Sequence, residues 1–215
     1  MALKRRDNSP ALSSLLDEIA CCRRCRDQPL GAALPHEPRP VLRVSSSARL
    51  CIAGQAPGTR VHASGIPFTD PSGERLREWL GINRTVFYDV SRVAIVPMGF
   101  CFPGLGKSGN DLPPRRECSA SWHDKIFSQL RDLRLILAIG AFAQRYHLGD
   151  LAGGNVTETV RSWRSVVAST SERGGVAMFP LPHPSWRNSG WLKRNPWFQS
   201  ELLPELRLAI TKAID

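Results

Sequence analysis

Leu50-Cys51-Ile52-Ala53-Gly54-Gln55-Ala56-Pro57-Gly58 runs from four apolar residues straight into a loop of glycine and proline. Apolar character at every residue, rather than at alternate ones, marks a strand covered on both faces, as in a parallel sheet. Residues 93–96, 133–139 and 176–181 read the same way. Helical spacing falls between these runs. Leu76, Trp79 and Leu80 share a face within residues 72–80, and Trp122, Ile126, Phe127 and Leu130 form a stripe within 117–130. Residues 142–148, residues 157–168 with Thr157 as N-cap, and residues 196–213 complete the set. A further short helix over 13–20 carries Leu15, Leu16 and Ile19 on one side, and a proline-rich connector over 29–40 follows it. Strands alternating with helices predict an α/β fold, a three-layer α/β/α sandwich around a central, mainly parallel four-stranded sheet. Ligands in such sheets bind beyond the carboxyl ends of the strands.

The chain's 215 residues suit one domain, expected to span residues 1–215, with the N-terminal helix and cysteine pair of residues 13–48 packed on it. Hydrophobic residues make up 42% and charged ones 22%, which excludes a disordered chain and a coiled coil. Lys and Arg number 29 against 19 Asp and Glu, a net charge of +10. A domain this basic is expected to meet a polyanion, with nucleic acid foremost. No apolar run of signal-peptide or membrane-spanning length follows the basic residues 4–6. The expectation is a soluble, cytoplasmic, nucleoid-associated monomer without membrane contact.

The loops after the strands hold the unusual residues. The first continues through His62 to Gly65-Ile66-Pro67-Phe68 and Asp70-Pro71-Ser72-Gly73. Glycines there let a ligand approach the backbone, and Phe68 offers either a flat face to a planar ligand or a core plug for the loop. The second loop, Pro97-Met98-Gly99-Phe100-Cys101-Phe102-Pro103-Gly104-Leu105-Gly106-Lys107-Ser108-Gly109, nearly imitates a phosphate-binding loop. The motif requires glycine where Cys101 stands, so that reading fails. Residues 54–58 likewise lack dinucleotide-site spacing. After the fourth strand, His183 sits between Pro182 and Pro184, a stiff setting that suits a preorganised hydrogen-bond donor. Trp186, Trp191 and Trp197 interleave there with Arg187, Lys193 and Arg194, which fits phosphate contact with base stacking. Cys22-x-x-Cys25 is a ligand pair in its own right, while Cys101 and Cys118 stand 17 residues apart. That spacing fits zinc nearly as well as an iron–sulfur centre, or an unligated reduced pair.

Gly54-Gln55-Ala56-Pro57-Gly58 with Gly65-Ile66-Pro67-Phe68 resembles the first signature of the uracil-DNA glycosylase superfamily, and His183-Pro184-Ser185 resembles its second. Residues 135–140, with Ala143 and Leu148-Gly149, are similar to the strand–helix unit between them, so the likeness covers roughly residues 20–210. The nearest branch is the iron–sulfur-containing type four. The resemblance implies a DNA repair enzyme that flips uracil from DNA and hydrolyses its N-glycosidic bond. It also implies a four-iron–four-sulfur cluster on Cys22, Cys25, Cys101 and Cys118, with zinc as the alternative, Cys21 and Cys51 being filler. Gln55, His62 and His183 are then the catalytic candidates, and Gly54, Gln55, Phe68, Pro97 and His183 the uracil pocket. Arg187, Asn188, Lys193, Arg194 and Lys107 become DNA contacts, with Arg115 and Arg116 adding phosphate contacts. Three positions depart from the branch. Gln55 replaces its usual glutamate, His62 its usual aspartate, and no base-reading asparagine stands near residues 96–98. Recognition is therefore expected from backbone around residues 97–100 or from Asn110. A second reading follows from the departures: a damaged- or abasic-site DNA-binding protein with little turnover. A small-molecule α/β enzyme is the third, weakened by the failed phosphate motifs.

Overall fold

Strand β1 (Leu50–Ala53) is an interior strand, flanked by β2 (Val93–Ile95) on one side and by β3 (Leu135–Ile139) on the other. Strand β4 (Ala177–Leu181) pairs with β3, giving the order β2-β1-β3-β4, and every pairing is parallel. The computed structural model describes residues 8–172 and 175–215, so the basic residues 4–6 lie outside it. The fold is the expected α/β/α sandwich. Pro180 is tolerated inside β4 because that strand forms an edge, where a missing N–H breaks no ladder on its outer side.

Successive side chains of each strand enter opposite cores. Leu50 and Ile52, Val93 and Ile95, and Leu135, Leu137 and Ile139 point into one core, where Leu76, Trp79, Leu80, Phe198 and Leu206 cover them. Cys51, Ala53, Ala94 and Ala138 point to the other face, against Leu12, Ile19, Trp122 and Ile126. Small residues on that face let its helices approach closely. Cys51 is fully enclosed there, and burial pushes its thiol up to about 12, so it behaves as a small hydrophobe.

Helix boundaries follow local capping. The first helix, Pro10–Ala20, begins at Ser9, whose hydroxyl accepts from Leu12 N. It buries Leu12, Leu15 and Ile19. Pro71–Leu80 opens on Asp70 as N-cap and ends at Gly81 in the left-handed region. The segment read as one helix over 157–168 is two, Val156–Arg161 and Trp163–Glu172. Its cap is Asn155, whose side chain accepts from Glu158 N, not Thr157. The Thr157 hydroxyl instead accepts from Trp191 Nε1 at 2.8 Å. A helix from Arg116 passes through a π-helical turn at Ser119–His123 and ends at Phe127. Thr59–Ser64, expected as loop, is a short helix closed by Gly65 at φ 71°. No helix among the described residues is long and apolar enough to cross a membrane.

The π-helical turn aims His123 inward, fully buried and stacked on Phe100, with Nε2 3.1 Å from the Pro97 carbonyl. His147 on the helix Gly140–Leu148 lies beside it, ring centroids 6.4 Å apart, with Nε2 buried and unpartnered. Burial holds both imidazoles down to about 4. The unfolded chain binds these protons near pH 6.5 but the folded protein refuses them until about pH 4, so stability falls as pH drops through that window. For the fully enclosed His123 the loss is on the order of 3 kcal/mol. Replacing His147 by Phe removes one of the two terms and no hydrogen bond at Nε2, so its melting temperature should fall less steeply between pH 6.5 and 4. A melting profile parallel to the wild type's would contradict this account.

Candidate active site

The order of the sheet reverses at β1, because the chain leaves it for β2 on one side and returns to β3 on the other. A crevice opens at such a reversal, beyond the strands' carboxyl ends. The cavity found there is walled by Gly54, Gln55, Gly58, Phe68, Pro97 and His183, with Asp70, Ser72, Asp111 and Ile139 completing it. Gln144, buried on the helix Gly140–Leu148, donates to the Leu181 carbonyl at 2.9 Å and fixes the end of β4 just before His183.

Phe68 is the one non-glycine residue among those described with positive φ, at 56°. Such a backbone costs on the order of 1–3 kcal/mol and persists only when its surroundings hold it. Here they do. Tyr88 Oη donates to the Pro67 carbonyl at 2.8 Å, with the Phe68 carbonyl a second acceptor at 3.2 Å, and Arg77 Nη1 reaches that same oxygen at 3.3 Å. The Phe68 ring packs edge-on against Phe87, and a β-carbon on Gly54 would stand 3.5 Å from its Cζ. Gly54 thus lies directly beside the ring, at a separation that even a β-carbon would meet in ordinary contact.

His183 Nδ1 accepts from Ser185 N at 3.2 Å, so the proton of the neutral ring sits on Nε2. Burial lowers its pKa, with Asp70 and Asp111 opposing, so the neutral donor form is favoured. Asn188 Nδ2 donates to the His183 carbonyl at 2.8 Å. Arg75 braces the same loop through Ser185 O at 2.9 Å and Ser189 Oγ at 3.3 Å. Gln55 has no side-chain hydrogen bond among the described residues, which leaves its carboxamide free to face a ligand.

Several expected residues are committed elsewhere. His62 does not wall the cavity: the short helix turns it against His36 at 4.6 Å and Phe102 at 5.7 Å, while its neighbour Val61 faces inward. The backbone after β2 is also engaged. Met98 N donates to Gly54 O, Gly99 N to Gln55 O and Phe100 N to Cys118 Sγ, while the Pro97 carbonyl meets His123. These N–H groups are not available to read a base. Asn110 takes Arg187 on its Oδ1 and donates to Ser108 Oγ, which corrects its expected base-reading role. Asn188 is a loop brace rather than a free surface contact. Trp191 and Trp197 pack on Phe198, whereas Trp186 is 68% exposed beside Arg187. Lys107, Arg116, Lys193 and Arg194 are exposed, but Arg115 is tied to Glu117 and to the Ala32 carbonyl at 2.7 Å. Asp70 stood in the quoted stretch Asp70-Pro71-Ser72-Gly73 without a site role, and Asp111 and Arg75 had no local sequence signal. A roomier groove of about 720 Å³ lies nearby, lined by Leu30, Leu112, Phe142 and Tyr146. Its Tyr146 hydroxyl and Glu117 carboxylate are already bonded, so it presents no free acid or base from them.

A family description of the Uracil DNA glycosylase superfamily matches residues 43–207. The chain belongs to that superfamily. Membership makes it a DNA glycosylase by class, a hydrolase with DNA as partner, and the matched span contains all four strands and both ends of the cavity.

Cys22, Cys25, Cys101 and Cys118 of this superfamily member line one further small cavity with Arg24 and Trp122. All are free thiols, and no three His, Cys, Asp or Glu among the described residues are gathered into a metal-ligand group as they stand. Position and chemistry nevertheless suit one soft-metal centre: four cysteines line one cavity, reached from three chain segments. A hydrogen bond with Cys101 draws Cys25 down to about 7 and keeps Cys101 protonated, while burial pushes Cys118 up to about 12. Glu117 accepts from Leu30 N at 3.0 Å and pairs with Arg115, so the segment after Cys25 is fastened to the helix that carries Cys118.

The Phe68 turn is testable at Gly73, where a β-carbon would stand 2.0 Å from the Phe68 carbonyl oxygen. Gly to Ala inside an unhindered helix stabilises by about 1 kcal/mol. Here the clash is with backbone, so the cost lies at the upper end of overpacking, about 3 kcal/mol, and the net loss of about 2 kcal/mol should lower the melting temperature of Gly73→Ala by roughly 4–8 °C. An unchanged or raised value would show that the helix start is free to move.

Proposed function

We propose that the protein excises uracil from DNA by hydrolysing the N-glycosidic bond, leaving an abasic site for base excision repair. The observation that carries this reading is His183 on the wall of a cavity shared with Phe68 and Gly54, its Nδ1 engaged by Ser185 N so that Nε2 is the donor nitrogen of the neutral ring. Bond cleavage leaves negative charge on the departing uracil, and a fixed donor that meets this charge as it grows speeds the step. Such a donor is worth about 2.7–4 kcal/mol elsewhere. Phe68 stacks the flipped base, Pro97 bounds it, and the Gln55 carboxamide orients the water. Trp186 is the exposed aromatic wedge for the gap left in the duplex, and Lys193, Arg194 and Lys107 supply phosphate contacts.

The experiment is single-turnover incubation with labelled single- and double-stranded uracil DNA. Wild type should release free uracil. His183→Ala should slow release by roughly 10²–10³-fold while DNA affinity changes little. Tight binding without release by the wild type would favour an abasic- or damaged-site binding protein instead. Equal losses of rate and affinity would reduce His183 to a DNA-positioning residue.

We further propose that Cys22, Cys25, Cys101 and Cys118 hold a four-iron–four-sulfur cluster. When bound, the cluster supplies a structural cross-link between the N-terminal segment and the sheet. Arg24 and Arg115 beside the thiols suit the negative charge of four thiolates. The purified protein should be yellow-brown, with visible absorption lost on chelation. Colourless protein with full zinc occupancy and normal activity would assign the site to zinc.

A further inference from the structure

Gln55 can orient a water but has no atom basic enough to take its proton. The sequence offers no carboxylate beside it, yet the folded cavity contains two, Asp70 and Asp111. They differ in what they are already doing. Asp70 Oδ1 accepts from Ser72 Oγ at 2.7 Å and from Gly73 N at 3.2 Å, as the N-cap of Pro71–Leu80. Asp111 has no side-chain hydrogen bond among the described residues. Its Oδ2 lies over the first loop, 3.7 Å from where a β-carbon on Gly58 would stand.

Asp111 is not on a loose tail. Leu105 and Asp111 form an antiparallel bridge, Gly106 N donates to Asn110 O at 2.8 Å, and Leu112 N donates to Gly104 O at 2.9 Å. Gly109 at φ 73° closes this small hairpin. Arg187 Nη1 then donates to Asn110 Oδ1 at 2.9 Å, which ties the hairpin to the loop of His183. Asp111, Asp70 and His183 all line both the base cavity and the open groove beside it, and of the two carboxylates Asp111 is the exposed one with no bond to the fold. A carboxylate at the junction of cavity and groove stands where water enters from solvent.

We propose that Asp111 is the general base of the excision step, an inference that rests on the uracil-excision reading above. The water oxygen bonds to C1′ as the C1′–N1 bond breaks. The electron pair of that bond leaves on uracil N1 and spreads to O2, which accepts the hydrogen bond from His183 Nε2. The water's proton passes to an Asp111 carboxylate oxygen, and a hydroxyl remains on C1′. Asp111 thus supplies from the second loop the carboxylate that position 55 lacks.

The test compares Asp111→Asn, Asp111→Ala and Asp70→Asn with wild type in single-turnover uracil release, alongside DNA affinity and melting temperature. Asp111→Asn and Asp111→Ala should each slow release by about 100-fold or more. Melting temperature should hold, and DNA affinity should hold or tighten, because a negative charge has been removed from the groove. Release at the wild-type rate overturns the proposal. So does a joint fall of rate, affinity and stability, which would mark a structural role, or a larger rate loss in Asp70→Asn, which would move the base to Asp70. A wild type that releases no uracil overturns the excision reading and this inference with it; an active wild type matched by Asp111→Asn overturns this inference alone.

Discussion

Strand β1 must be buried on both faces and paired on both edges, and the rest of the molecule is arranged around that demand. Leu50 and Ile52 enter one core and the smaller Cys51 and Ala53 the other. Because the chain leaves β1 in one direction and returns to it from the other, its carboxyl end is the one place where neighbouring loops diverge. Gly54 to Gly58 occupy that place. The crevice is therefore a consequence of topology before it is a consequence of chemistry.

What the crevice can do is decided by which polar groups remain uncommitted. Most of those nearby are consumed by the fold: Met98 and Gly99 by the first loop, the Pro97 carbonyl by His123, and Asp70 by a helix cap. The Gln55 carboxamide, His183 Nε2 and the Asp111 carboxylate, on residues that line the cavity, are left without a partner in the fold. Gln55 and His183 are half-buried and Asp111 is exposed, so each can meet a ligand or water without first breaking a bond within the fold.

Much of the fold was legible in the sequence because parallel strands buried on both faces leave unbroken apolar runs, and Leu50–Ala53 matched its reading to the residue. The six-residue helix Thr59–Ser64 was not, being too short to display a period. Thr157 and Asn155 are both competent caps, and only the backbone path to Glu158 chose between them. At the site, Gly54, Gln55, Phe68, Pro97 and His183 were named through the resemblance of the loop signatures to those of the superfamily, and the cavity gathers all of them. Asp111 was not, since a hairpin in the second loop carries it across to Gly58, and nothing local in Asn110-Asp111-Leu112 announces that crossing. Conversely Arg115, Asn110 and Asn188 read as free surface groups because sequence does not count hydrogen-bond partners.

The backbone of Phe68 has a consequence for how affinity is distributed. Its left-handed turn is fixed by Tyr88, Arg77 and the close approach of Gly73 whether or not anything occupies the cavity. The ring, packed edge-on against Phe87 from that turn, is thus already in place when a planar guest arrives. Conformational entropy is then lost by the guest alone, and contact with the ring is not offset by a side chain that must first be ordered. A rigid face of this kind discriminates by shape, since it does not turn to follow a guest of different outline.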